Sequence, residues 1–325
     1  MVRPAPSVGQ PGRAGGPSVL LAAPMLENPG KFRSALQSAL PEFGIWPDGA
    51  IGDDTVDVVI IDDHVDLRER RFERLSAVLS LSGGVEHALE ASGAFAGAQI
   101  YRILTPQHQQ LMREYVLYQL LAFQATYDRV RIQQSRRWEW LSPRSPLAGH
   151  RALVLGLGFL GEPCARALSN LGLVVTGFSL TGRSLPGIRT IDDLPGLHEA
   201  LEKTDFLICL LPLTPKTRGL IGRFELALLP AHAVVMNVSR SGCLDEAALI
   251  EMLRTNRLAG AILDVFEQEP LPQDHPILDV PNLRITPHCA ATPPVEAYIP
   301  AVIDALSRLA AGQSPGNAVD PFRGY

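Results

Sequence analysis

Cysteine is scarce, with four in 325 residues, and Cys164, Cys209, Cys243 and Cys289 form no CxxC pair. Their settings are apolar or rich in small residues, which argues against a disulfide scaffold and against a zinc site, and fits a reducing, cytoplasmic compartment. No apolar run approaches the roughly 18 residues that span a bilayer, so no membrane-crossing helix is expected. Segment 18–23 is too short for the core of a signal peptide. Positive charge is not in excess: the formal net charge is -5, which disfavours nucleic acid as the main partner and leaves small molecules. The first 17 residues hold two arginines and no acid, and are rich in Pro and Gly. They read as a disordered lead-in, with a weak transit sequence as the alternative.

What is present is alternation. Short apolar runs such as Val19-Leu20-Leu21 and Val56-Asp57-Val58-Val59-Ile60-Ile61 are separated by helical stretches such as 31–40. Ala77-Val78-Leu79-Ser80-Leu81 reads as a further strand that runs into the turn Ser82-Gly83-Gly84-Val85. Leu111, Tyr115, Tyr118 and Leu121 recur at helical spacing, which predicts a long helix over 107–133. A second, stronger alternation runs from Arg151 to about Pro287, and 293–309 reads as a helix returning to the first domain. The expectation is an α/β protein of two Rossmann-like, doubly wound parallel-sheet domains. A substrate domain, 18–105 with 293–325, is interrupted by a nucleotide domain, 106–292.

Ala152-Leu153-Val154-Leu155 followed by Gly156-Leu157-Gly158-Phe159-Leu160-Gly161 is a strand entering GxGxxG, with helix-forming residues 163–171 behind it. Gly156 permits the tight turn, Gly158 the approach of a pyrophosphate, and Gly161 the packing of helix on strand. The helix N-terminus attracts the anion. The motif alone is weak, and a structural glycine turn is its bland alternative; strand, turn, helix and the next strand, Leu173-Val174-Val175, make it specific. An NAD-selective site places an acid at the end of that next strand, about 20 residues on, to hold the ribose hydroxyls. Here Ser179 stands there, followed by Leu180, Thr181, Gly182 and Arg183. An acid that would repel a 2'-phosphate is absent and an arginine that can pair with one is near, so NADP is expected over NAD.

Three later apolar strands each lead to a chemically useful residue: 234–239 to Arg240, 261–266 to Glu269, and 283–287 to His288. Reduction of a 2-oxo acid needs a cation for the carboxylate and carbonyl, and a proton donor for the developing alkoxide. Arginine offers a planar, permanently charged fork, and histidine exchanges protons near neutral pH. Glu269 is suited to orient the imidazole and favour its charged form. Singly, each of these residues reads equally well as an ion pair or a cap. No metal site is expected.

The order and wording of these segments resemble the D-isomer-specific 2-hydroxyacid dehydrogenase family. Leu211-Pro212-Leu213-Thr214-Pro215-Lys216-Thr217, Asn237-Val238-Ser239-Arg240, Asp264 to Pro270, and Thr286-Pro287-His288 follow the Rossmann turn in the family's order. The resemblance covers about 18–325 and is nearest to the bacterial glyoxylate/hydroxypyruvate reductase branch. It implies that Arg240, Glu269 and His288 are catalytic, and that Ser82, Gly83, Gly84 and Val85 offer amides to the substrate carboxylate. It also implies that Asp264 contacts the nicotinamide amide. Phe159, Leu160, Leu211, Pro212, Thr217 and Val238 join the expected cofactor contacts. Arg131-Ile132-Gln133-Gln134 with Trp138, and the ending Arg323-Gly324-Tyr325, are similar to that branch too. The family's dimer-forming arm resembles 107–133 and the Trp138 segment, so a homodimer is expected. Leu210 stands where the family often has histidine, and an arginine-rich stretch of the nearest branch is reduced to Arg183.

The function expected is NAD(P)H-dependent reduction of a small 2-oxo acid to the D-2-hydroxy acid. The competing reading is a regulatory protein of the same fold that senses NAD(P)H without turnover. A sensor has no need of Arg240, Glu269 and His288 together, which favours the enzyme. The other histidines, His64, His87, His108, His150, His198, His232 and His275, are expected at the surface or in loops.

Overall fold

The computed structural model describes residues 16–95, 97–125 and 146–324. The chain divides into two compact units, one running to Gln107 and resuming at Pro293, the other His108–Thr292. Residues 1–15 of the expected lead-in and the segment 131–138 lie outside the described residues, as does Tyr325.

The first unit contains β1 (Ser18–Ala22), α1 (Pro29–Ala39), β2 (Gly44–Pro47), β3 (Val58–Ile61), β4 (Ala77–Ser80), α2 (Glu86–Glu90) and β5 (Gln99–Arg102). Its strands pair in parallel in the order β2-β1-β3-β4-β5. Successive residues on a strand face opposite sides. Accordingly Val19, Leu21, Val58 and Ile60 enter one core and Leu20, Ala22, Val59 and Ile61 the other. Burial on both faces explains why these strands read as continuous apolar runs. β2 and β5, the two edge strands, were not anticipated from sequence; each is four residues long, β2 with Trp46 and Pro47 exposed and β5 with polar, half-buried Gln99 and Arg102 at its ends.

In the second unit, α3 (Pro106–Ala125) is followed, after the residues not described, by β6 (Arg151–Leu155), α4 (Gly161–Asn170), β7 (Val174–Phe178) and β8 (Arg189–Ile191). Then come α5 (Leu194–Leu201), β9 (Phe206–Cys209), α6 (Arg223–Leu228), β10 (Val234–Asn237), α7 (Glu246–Arg254), β11 (Gly260–Leu263) and β12 (Leu283–Ile285). The order β12-β11-β10-β9-β6-β7-β8 is parallel throughout. The sheet reverses direction of winding between β6 and β9, the switch point at which such sheets bind ligands. The long helix predicted over 107–133 is present as α3 as far as Ala125, and 126–133 lie outside the described residues; its Met112, Val116 and Leu120 pack on Val154 and Ile208 of the sheet. The chain's last helix, α8 (Val295–Ala310), belongs to the first unit, where Val302, Leu306 and Leu309 join the core with Phe32 and Leu36 of α1.

Candidate active site

Strand register gathers the chemistry of the second unit on one edge. Phe178, Leu155, Cys209, Asn237, Leu263 and Ile285 are aligned partners across the sheet. The residues that follow them are Ser179, Gly156, Leu210, Val238, Asp264 and Thr286. One row of carboxyl ends thus carries the glycine turn and three of the later motifs.

The glycine turn has the shape its sequence implies. Gly156 sits at φ +93, and a Cβ there would meet the Leu210 carbonyl oxygen at 2.6 Å. At Gly161 an added Cβ would meet the Gly156 carbonyl oxygen at 1.8 Å, whereas at Gly158 it would meet nothing within 4 Å. Two glycines therefore allow close packing of turn, strand and helix, while the third leaves its backbone open to a ligand. No side chain caps the start of α4. The cradle fits a dinucleotide pyrophosphate. Phe159 gives its carbonyl to the Gln109 amide at 3.0 Å, and Leu160 is half-buried at the helix start.

Ser179 is buried and its hydroxyl bonds that of Thr181 at 3.0 Å. Arg183 is paired with Glu162, the second residue of α4, which also accepts from Arg166 at 3.0 Å. In the 211–217 segment, Leu211 is buried in the core. Thr217 donates to the Pro212 carbonyl at 2.6 Å and accepts from the Thr214 amide at 2.8 Å. The Thr217 hydroxyl, expected to face the cofactor, is committed to holding its own loop. Val238 likewise turns its side chain inward.

Arg240 follows β10 through a braced turn. Asn237 accepts from the Ser239 amide at 3.2 Å and its hydroxyl at 2.9 Å, and donates its own amide to the Arg240 carbonyl at 3.0 Å. The Arg240 guanidinium donates to the Ser239 carbonyl at 2.9 Å.

His288 and Glu269 are brought together: Nδ1 lies 2.7 Å from Oε2. The other oxygen of Glu269 accepts the Phe266 amide at 2.8 Å, so the carboxylate is fixed from behind. The two side chains remain 41% and 35% exposed, open to a reactant. His288 has φ +51, a left-handed conformation that costs a non-glycine residue roughly 1–2 kcal/mol. Asp264 supplies the compensation. Its backbone carbonyl takes the His288 amide at 2.9 Å, and its side chain accepts from Thr286 Oγ1 at 2.6 Å, the Cys289 amide at 3.0 Å and the Ala290 amide at 2.9 Å. At 1% exposure this carboxylate is spent on the histidine loop; the expectation of a nicotinamide contact did not foresee that duty. Tyr115, on α3, bonds Thr286 Oγ1 at 2.5 Å, and burial pushes its phenol up to about 12.

Sequence reasoning missed Tyr115, Thr286 and Glu162 as parts of the site. Thr286 was visible inside Thr-Pro-His; Tyr115 shows only helical spacing, and Glu162 only a charge beside the glycine motif. His108 is corrected as well: expected at the surface or in a loop, it is 2% exposed in the first turn of α3. In the first unit, Ser82-Gly83-Gly84-Val85 links β4 to α2, with the Ser82 amide 3.4 Å from Ser80 Oγ and open space above Gly83. Val85 is buried and starts α2 without a side-chain cap. Among the described residues no cluster of three or more His, Cys, Asp or Glu could hold a metal, and no helix is long and apolar enough to cross a membrane.

Residues 117–290 match the family described as D-isomer specific 2-hydroxyacid dehydrogenase, NAD binding domain. The chain belongs to this family. It is an NAD(P)-dependent dehydrogenase. Among similar proteins, glyoxylate/hydroxypyruvate reductase A of Serratia proteamaculans (strain 568) is 33% identical over 258 residues, covering 78% of this chain and 82% of the relative. Its counterpart from Salmonella paratyphi B is 34% identical over 259 residues, with the same coverage of 78% and 82%. A D-isomer specific 2-hydroxyacid dehydrogenase from Xanthobacter autotrophicus Py2, solved with NADPH and MES, is 33% identical, with TM-score 0.85 over 96% of this chain and 100% of that one. The NADPH-dependent glyoxylate/hydroxypyruvate reductase of Sinorhizobium meliloti, solved with NADP and sulfate, is 30% identical, with TM-score 0.85 over 95% and 100%.

Proposed function

We propose that this dehydrogenase reduces a small 2-oxo acid of the glyoxylate or hydroxypyruvate class to the D-2-hydroxy acid, with NADPH preferred over NADH. The observation that carries the proposal is the 2.7 Å contact between His288 and a Glu269 carboxylate already fixed by the Phe266 amide. With Nδ1–H held by the Glu269 carboxylate, the protonated imidazole keeps Nε2–H as its remaining donor, the arrangement a proton-delivering imidazole requires.

Gly156, Gly158, Phe159, Leu160 and Gly161 would hold the pyrophosphate, and Ser179, Thr181 and Arg183 the adenosine ribose with its 2'-phosphate. Leu211, Pro212, Thr217, Val238 and Asp264 complete that side through backbone atoms and loop shape. When bound, the reduced nicotinamide supplies a hydride to C2. Arg240 binds the carboxylate and polarises the carbonyl, and His288 gives its proton to the carbonyl oxygen as charge develops there. The imidazole left neutral is still held by Glu269. The Ser82–Val85 amides are proposed, from the family resemblance, to bind the substrate carboxylate. The names of the Serratia, Salmonella and Sinorhizobium relatives favour a two- or three-carbon substrate. Homodimerisation and a cytoplasmic location belong to the same reading.

Steady-state oxidation of NADPH and NADH with glyoxylate, hydroxypyruvate and longer 2-oxo acids tests it. The expected result is highest kcat/KM for one of the two short acids with NADPH. Preference for a branched or aromatic 2-oxo acid, or for NADH, would overturn the corresponding part.

A further inference from the structure

Glu162 is the first residue after the last glycine of the turn, and its carboxylate is the partner of both Arg166 and Arg183. Arg183 is the cation nearest in sequence to Ser179, at the strand end where the adenosine ribose is held in this fold. An anion on that ribose and the carboxylate of Glu162 therefore compete for one guanidinium. We propose that Glu162 is a cofactor-specificity residue, which sequesters Arg183 and so restrains the preference for a 2'-phosphorylated dinucleotide.

Three observations support the assignment. The Arg183–Glu162 pair is made from opposite sides of the turn, Glu162 on α4 and Arg183 beyond β7, so it spans the ribose end of the cradle. Glu162 is well shielded, its side chain 24% exposed, while Arg183 is 47% exposed and can swing towards a ligand. Asp192 adds a second acid beside the same loop, its Oδ2 3.4 Å from where a Cβ on Gly182 would stand. A 2'-phosphate entering here meets an arginine already paired with Glu162 and a second acid, Asp192, beside the same loop. An unphosphorylated ribose meets neither penalty, because it needs hydrogen bonds and no counter-charge.

The inference rests on the proposed cofactor site, and the test keeps the two apart. Dissociation constants of NADPH, NADH, 2',5'-ADP and 5'-AMP are measured by calorimetry on the full chain, for the parent and for Glu162→Gln. The glutamine keeps the length of the side chain and removes its charge. Selectivity for the phosphorylated member of each pair should rise about 3- to 5-fold, the range of a partly exposed ion pair, and the gain should shrink at high salt. In the Glu162→Gln background, Arg183→Ala should weaken NADPH and 2',5'-ADP more than it does in the parent. Equal changes for both members of a pair, or a fall in selectivity, would overturn the proposal, the latter by showing that Glu162 positions Arg183 for the phosphate. A parent that prefers NADH would instead contradict the cofactor preference proposed above, while the shift on Glu162→Gln still decides the role of Glu162.

Discussion

Thr286 donates its hydroxyl to the Asp264 carboxylate at 2.6 Å, and through that bond the end of β12 is tied to the end of β11 one residue pair beyond their register. Because the Thr286 proton is committed to Asp264, the Tyr115 phenol is the donor in its 2.5 Å contact with Thr286. The chain Tyr115, Thr286, Asp264 ends on the amides of Cys289 and Ala290, immediately after His288. Thr286→Val keeps the shape and removes both bonds. The expected loss is about 1–3 kcal/mol of stability from the polar groups left buried, with a fall in kcat larger than any change in cofactor affinity. Tyr115→Phe should cost less, since Thr286 keeps its bond to Asp264. Chemical denaturation and steady-state kinetics of the two variants check the order.

Glu269→Gln isolates charge from shape. The glutamine carbonyl can still accept the Phe266 amide, but its NH2 group then meets His288 Nδ1, where the charged imidazole needs an acceptor. We expect kcat to fall by about 10- to 100-fold, within the range of positioned acid catalysis, while NADPH affinity measured by calorimetry stays within about twofold of the parent, far below the tenfold change that 1.4 kcal/mol of lost binding would bring. Unchanged kcat would remove Glu269 from the proton-delivering pair.

Tyr298, on α8, has its phenol pushed up to about 12, chiefly by burial and secondarily by the negative charge of Asp63. Its ordinary value is 10.0, so in alkaline solution the unfolded chain releases this proton before the folded one does. The stabilisation is complete below pH 10 and is lost as pH rises towards 12. Guanidinium unfolding at about pH 9 and about pH 11 should show a steeper loss of stability for the parent than for Tyr298→Phe. Parallel losses would place the alkaline sensitivity elsewhere.

Much of this was legible in the sequence because the signals are local. Val19 to Ala22 and Leu153 to Leu155 are apolar on both faces, which only a covered parallel strand requires. The glycine turn and the segments ending in Arg240, Glu269 and His288 are likewise contiguous words. The edge strands β2, β5 and β8 escaped because three or four half-exposed residues carry no period. The Tyr115 to Thr286 contact spans 171 positions and leaves no trace in either segment. Asp264 was found as a motif residue, but its duty was not, because three of its bonding partners lie on a loop more than twenty residues downstream. The Glu162–Arg183 pair escapes likewise: Arg183 reads only as a partner for the cofactor, and Glu162 shows only a charge beside the glycine motif.

The proposed role of His288 as the proton donor is tested by comparing the parent with His288→Ala. Single-turnover reduction of glyoxylate and hydroxypyruvate is followed by nicotinamide absorbance, with cofactor binding measured separately on the same preparations. The predicted result is turnover by the parent and a rate about 10²- to 10⁴-fold lower for His288→Ala, with NADPH affinity nearly intact. Full activity in His288→Ala, or a parent that binds NADPH and reduces neither acid, would contradict it.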